Sequence, residues 1–99
     1  MVRHIVSWNF KPELDEAQRK AVGDQVVSRL LALKDKIPCL IQIQAFCPPM
    51  DSSSCDLVLY SEVEQAADLP LYQNHPEHQA VIPMIRDNFC DRRCCDILG

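Results

Sequence analysis

Glycine is nearly missing from this chain, with two residues in 99, and that scarcity excludes collagen-like and glycine-rich flexible architectures. Basic charge is short as well. Ten Lys and Arg stand against 14 Asp and Glu for a formal charge of −4, and Arg92-Arg93 is too small a cluster to make a phosphate-binding surface, so no nucleic-acid partner is expected. No apolar run approaches the ~20 residues of a membrane span. The N-terminus also shows no basic start followed by an apolar stretch and a small-residue cleavage site. The expectation is a cytoplasmic protein with no membrane partner. A Cys-x-x-Cys pair is absent too, and the even spacing of Cys39, Cys47 and Cys55 matches no common zinc pattern. The six cysteines are therefore read as free thiols packed as small hydrophobes, with no metal and no cofactor expected. Cys47 and Cys55 bracket a turn-rich segment, and whether they pair is a question of geometry that spacing leaves open.

What is present is enough for one folded domain spanning residues 1–99, since 47% of the residues are apolar and 24% charged. Val2 to Phe10 alternates as a strand that Lys11-Pro12 ends. Asp15 stands three residues before Gln18 as a capping box, and Val22, Val26, Leu30, Leu33 and Ile37 then recur at helical spacing until Pro38. Cys39 to Phe46 reads as a second strand, with Ile41, Ile43 and Ala45 on one face. Pro48-Pro49 and Asp51 to Ser54 make a loop, and Asp56 to Val63 a third strand, with Leu57 and Leu59 set against Val58, Tyr60 and Val63. Glu64 to Asn74 predicts a helix shortened or broken by Pro70, with Asp68 as a possible cap. Pro76 to Asn88 predicts a helix kinked at Pro83, and Arg92 to Leu98 a last strand. The order β, α, β, β, α, β specifies an α+β, ferredoxin-like fold with an antiparallel four-stranded sheet and helices on one face. Apolar residues on both faces of the strands then predict that the uncovered face is closed by a second copy, as a homodimer.

Chemistry concentrates in Tyr72-Gln73-Asn74-His75-Pro76-Glu77-His78, which sets a phenol and two imidazoles beside a helix start. Pro76 suits the first helical position, His75 before it must be extended, and His78 falls in the first turn. There the positive end of the helix dipole favours a neutral imidazole, a base or hydrogen-bond acceptor near neutral pH. His4, Val6 and Trp8 share one face of the first strand.

Four segments together resemble the stress-responsive A/B barrel (Dabb) family: Met1-Val2-Arg3-His4-Ile5-Val6, Leu30 to Pro38, Leu71 to His78, and Asp96-Ile97. The resemblance implies a dimeric α/β barrel in which two sheets pack together. It also implies, from a plant polyketide cyclase of the family, an aldol-type cyclisation of a small hydrophobic carbonyl compound. In that reading His78 is the base, Tyr72 orients or hydrogen-bonds the carbonyl, and His4, Val6, Trp8 and His75 line the binding pocket. Pro70, Pro83 and Glu77 depart from the family pattern at the pocket wall.

Each of these residues also has a structural reading. His75 and His78 can cap and staple a helix start, Tyr72 can be core, and His4 can be a buried, hydrogen-bonded strand residue. The alternative to a ligand-binding protein or enzyme is accordingly a non-catalytic stress-linked dimer. A haem or monooxygenase-type role follows from fold analogy alone. An open cavity of about 300 to 1,000 Å³ favours the ligand-binding reading, and a filled interior the structural one.

Overall fold

A computed structural model describes all residues 1–99. The elements run β1 (Val2–Phe10), α1 (Glu16–Ala32), a 3-10 turn (Leu33–Asp35), β2 (Gln42–Phe46), β3 (Leu57–Val63), α2 (Asp68–Gln73), α3 (Pro76–Gln79), α4 (Ile82–Asn88) and β4 (Phe89–Leu98). The strands form one antiparallel sheet in the order β2-β3-β1-β4. This is the ferredoxin-like α+β arrangement.

The long helix starts where the sequence places it. Asp15 Oδ1 accepts from the Gln18 backbone at 2.8 Å, and Gln18 Oε1 accepts from the Asp15 backbone at 2.9 Å, which satisfies two donors that a helix start otherwise leaves bare. Its apolar stripe is continued by the 3-10 turn, so that Val26, Leu30, Leu33 and Ile37 are all buried. They pack on Val6, Trp8, Ile43, Ala45, Leu57 and Leu59 from the three strands beneath. Each large side chain so buried contributes about 1.5–3 kcal/mol of transfer free energy.

Several local expectations change. The second strand begins at Gln42, because Ile41 lies before the ladder and is exposed, although its N–H donates to the Glu62 carbonyl at 2.9 Å. Val63 falls on the same buried face as Leu57 and Leu59, as strict alternation requires. Pro70 does not break α2, since it occupies the first turn, where a missing N–H costs no hydrogen bond. Ala67, not Asp68, is the cap; the Asp68 carboxylate instead accepts from the Gln65 N–H. Pro83 does more than kink, for Pro76 to Asn88 is two separate helices and Pro83 sits at the start of the second. Cys47 and Cys55 do not pair, and all six cysteines are free thiols.

The last strand starts three residues earlier than Arg92. Its pairing with β1 slips between Ser7 and Asn9, so that Asp91 and Arg92 together face Trp8. Asp91 adopts φ 55°, the left-handed region that an Asp tolerates better than most residues. It is the extra residue of a β-bulge.

The helices cover the face that carries His4, Val6, Leu57, Leu59, Ile43 and Ala45. The other face has no cover. Phe46 lies beside Val58 there, and Tyr60 beside Ile5 and Cys95, in adjacent cross-strand rows. Phe46 on one edge strand keeps 50% of its surface exposed, and Ile97 on the other edge strand 42%. Of the two apolar strand faces, this is the one without a helix over it, and the face of Ile43 and Ala45 is the one the helices cover.

Gly23 marks the closest approach of α1 to the loop after β2. A Cβ built there would lie 2.9 Å from Cys47 Sγ and 3.6 Å from Cys47 Cβ. Gly23→Ala should therefore destabilise the protein even though Ala is favoured over Gly by about 0.8–1 kcal/mol inside a helix. In a Cys47→Ala background, where the sulfur is gone, the same substitution should instead stabilise. Denaturant midpoints of the four proteins give the comparison, and a gain from Gly23→Ala with Cys47 present would contradict it.

Candidate active site

Between the sheet and the helices lies a cavity of about 580 Å³. The floor is β1, which contributes His4, Val6 and Trp8 at alternate positions, with Leu59 of β3 beside them. Leu30 of α1, Ile82 and Ile85 of α4 and Phe89 of β4 complete the apolar wall, while Asn74, Arg86 and Arg92 bring polar groups to it. His78 of α3 lines the wall, with Cys90 and Asp91 of β4 as further titratable groups around the cavity.

The break between α2 and α3 delivers the His78 ring to this place. Asn74 caps α2 with its N–H on the Pro70 carbonyl, and His75 is the extended cap of α3, with φ −62° and ψ 136°. His75 Nδ1 accepts from the Glu77 N–H at 3.1 Å. That nitrogen is committed to capping, and His75 is not among the cavity-lining residues. The Glu77 carboxylate turns away from the histidines to Lys36 Nζ at 3.7 Å.

Tyr72 is the one buried residue of α2 and is fully enclosed, behind the cavity wall and not on it. Its ring meets His78 edge-on with centroids 4.7 Å apart, and His4 edge-on at 6.1 Å. Burial pushes its phenol up to about 12, against a smaller downward pull from the Ser61 hydroxyl, so the hydroxyl keeps its proton at any physiological pH.

For His78 the neutral form is favoured chiefly by burial. The Gln73 carbonyl works against this, and the positive charge His4, Arg92 and His75 can carry adds to it. A helix of four residues has little dipole to offer, so the cause differs from the one inferred from sequence. Two buried side-chain polar atoms in the whole chain lack a hydrogen-bond partner, Tyr72 Oη and His78 Nδ1.

His4 is 2% exposed and bonded through Nδ1 to Asp96 Oδ1 at 2.5 Å. Cys94 Sγ lies 3.8 Å from the same nitrogen. The sequence reading did not see Asp96 as the partner of His4; the antiparallel register of β1 with β4, which sets His4 directly across from Asp96, is what reveals it. Ile82, Ile85 and Phe89 are further wall residues whose helical spacing was the available signal, and Arg92, though exposed, also borders the cavity.

A four-stranded antiparallel sheet backed on one face by helices, with a histidine-bearing cavity between the two layers, is a ferredoxin-like α+β fold. The chain belongs to the stress-responsive A/B barrel domain family, whose model matches residues 2–98. No protein of curated function matches the chain by sequence. Among solved structures, a dimeric protein of unknown function with a ferredoxin-like fold from Bacteroides fragilis superposes with a TM-score of 0.92 at 24% identity, over 99% of this chain and 95% of that one. A hydroxynitrile lyase from Passiflora edulis gives 0.77 at 15% identity, over 97% and 90%. An antibiotic biosynthesis monooxygenase gives 0.73 at 16% identity, over 100% and 98%. These likenesses establish the fold. No helix is long and apolar enough to cross a membrane.

Because the folded chain disfavours protonation of His78, while the unfolded chain takes up that proton near pH 6.5, stability from this residue is present above pH 6.5 and is lost as the pH falls below it. His78→Gln should flatten that acid-side loss in melting temperatures recorded from pH 7.5 downwards, and NMR titration of the wild-type imidazole should give an apparent pKa below 6.5. A His78 titration at or above 6.5 would contradict the burial argument.

Proposed function

We propose that the cavity binds a small hydrophobic carbonyl compound and promotes its aldol-type cyclisation, with His78 as the general base. The observation that carries this reading is the pair of orphaned polar atoms. Buried polar groups in native proteins are almost always hydrogen-bonded, and an unmatched donor or acceptor costs about 1–3 kcal/mol. The Ser61 hydroxyl lies near Tyr72 and the Gln73 carbonyl near His78, but neither makes a well-directed hydrogen bond to Tyr72 Oη or His78 Nδ1, so both atoms stay unmatched, in rings that touch, beside a mostly apolar cavity of suitable size. A ligand that offers a carbonyl oxygen and an acidic C–H would partner both.

In the step proposed, His78 Nδ1 takes a proton from a carbon flanked by carbonyl groups, and the C–H electron pair moves into the adjacent carbonyl as an enolate. The protonated Tyr72 hydroxyl donates to the enolate oxygen. Because Tyr72 Oη and His78 Nδ1 are both enclosed, both contacts need a side-chain rearrangement at the wall when ligand enters. The enolate carbon then attacks a second carbonyl of the same molecule, a C–C bond closes the ring, and the imidazolium returns its proton to the new alkoxide. His4, Val6 and Trp8 form the surface on which the ligand's apolar part rests, and His75 contributes by capping α3.

His78→Ala should abolish turnover of a poly-β-keto test substrate while the melting temperature stays within a few degrees of wild type, and Tyr72→Phe should lower kcat more than it raises KM. Unchanged turnover in His78→Ala would remove the base. Loss of folding in both His78→Ala and His78→Gln would instead assign the histidine to structure.

We further propose that the chain is a homodimer closed through the uncovered sheet face, as the fold of the dimeric relatives suggests. The support is the diagonal band of Phe46, Val58, Tyr60, Ile5 and Ile97, across three successive rows of the sheet, left without a helix over it. Sedimentation should find the wild type at twice the chain mass and Tyr60→Lys at the mass of one chain. A monomeric wild type would refute this surface.

A further inference from the structure

His4, Cys94 and Asp96 form a cluster that the proposed reaction does not use, apart from the place of His4 on the cavity floor. We propose that these three side chains bind a borderline divalent cation, with zinc the best match. The strands build the site. His4 of β1 lies directly across from Asp96 of β4, and Cys94, two residues along β4, projects from the same face beside it.

The distances fit a metal with modest adjustment. Cys94 Sγ lies 3.8 Å from His4 Nδ1 and 3.8 Å from Asp96 Oδ2, and one donor atom from each residue falls within 4.8 Å of the others. Tetrahedral zinc sets its nitrogen, sulfur and oxygen ligands about 3.3–3.6 Å apart. Cys94 therefore needs to move by a few tenths of an ångström. Asp96 must swing outward, with the cation taking the place of its hydrogen bond to His4 Nδ1, and its side chain is free to do so because it is 41% exposed.

The donor set selects the ion. One imidazole, one thiolate and one carboxylate suit zinc, whereas magnesium and calcium require oxygen ligands. His4 is a fixed inner ligand with 2% exposure, and Cys94 and Asp96 stand at the surface, which gives an entry path and leaves a fourth coordination position to water. Asp96 has no Lys or Arg bridged to it; His4 is its one ion-pair partner, and Arg92 is the cation that neighbours Cys94. The cluster lies on the helix side of the sheet, so a second copy on the opposite face leaves it open.

Bound there, the cation would clamp the exposed edge strand to the central one. It would also fix the tautomer of His4, since a neutral ring coordinated through Nδ1 carries its proton on Nε2. The cysteine-spacing rules miss such a site because its ligands are a Cys-x-Asp on one strand and a histidine some ninety residues earlier in the chain, on another.

The test is metal binding by the reduced full-length chain, with Zn²⁺ in calorimetry and Co²⁺ in absorbance. Wild type should take one cation per chain and show a near-ultraviolet thiolate-to-cobalt band. Cys94→Ser should lose that band and bind Zn²⁺ weaker by about tenfold or more, and Asp96→Asn should weaken binding likewise. Cys95→Ser, which removes the neighbouring thiol on the opposite face, should change neither. Circular dichroism confirms that each variant is folded. No binding by wild type, a full band in Cys94→Ser, or equal damage from Cys95→Ser would each overturn the site. None of these readouts involves turnover, and Cys94 does not line the cavity, so the result stands apart from the role of His78.

Discussion

Everything in this molecule is positioned from one strand. β1 is hydrogen-bonded on both sides, to β3 and to β4, and its register with each is unbroken from Val2 through Ser7. A slip of one residue would carry His4, Val6 and Trp8 to the opposite face and bring Arg3, Ile5 and Ser7 under the helices. The apolar contacts of α1 depend on that choice, because Leu30 packs into the same cluster as Val6 and Trp8. The alternation of the strand therefore secures the core and presents a histidine to the cavity in a single step.

The second requirement is that the helical layer be interrupted. A continuous helix from Glu64 to Asn88 would place side chains around a full cylinder and fill the space above β1. Prolines in the first turn of each helix, Pro70, Pro76 and Pro83, and an extended His75 accompany the division of the layer into three short pieces, and the space they leave is the cavity. Short helices have little intrinsic stability and rely on tertiary packing. Fully buried Tyr72, and Val81 at 3% exposure, supply anchors for them. The tyrosine that holds the layer down is also the ring against which His78 rests, so packing and chemistry share the same contact.

Most of the architecture was legible in sequence because it is periodic. Strand alternation gave β1 and β3, the four-and-three spacing from Val22 to Ile37 gave the long helix, and the Asp15–Gln18 box gave its start. What periodicity could not give was anything that depends on distant segments. Whether Asp96 meets His4 is decided by a strand register across 92 residues. The nitrogen of His75 could equally face a pocket or a backbone N–H until the turn between α2 and α3 is built. A proline in a helical pattern signals a break, whereas at the first turn it is compatible with the helix, and both Pro70 and Pro83 stand there.

The bulge at Asp91 works as a change of reading frame in β4. Phe89 sits at an odd position and Cys94 and Asp96 at even ones, yet all three reach the helix side of the sheet, because one residue between them is added without advancing the ladder. The strand thereby serves two compartments, closing the apolar cavity with its first residue and gripping the central histidine with its last turn of side chains. Removing that single residue would leave each half of the strand locally well formed while making the two halves incompatible. The tolerance of this edge to insertion or deletion is consequently far lower than its exposure to solvent suggests.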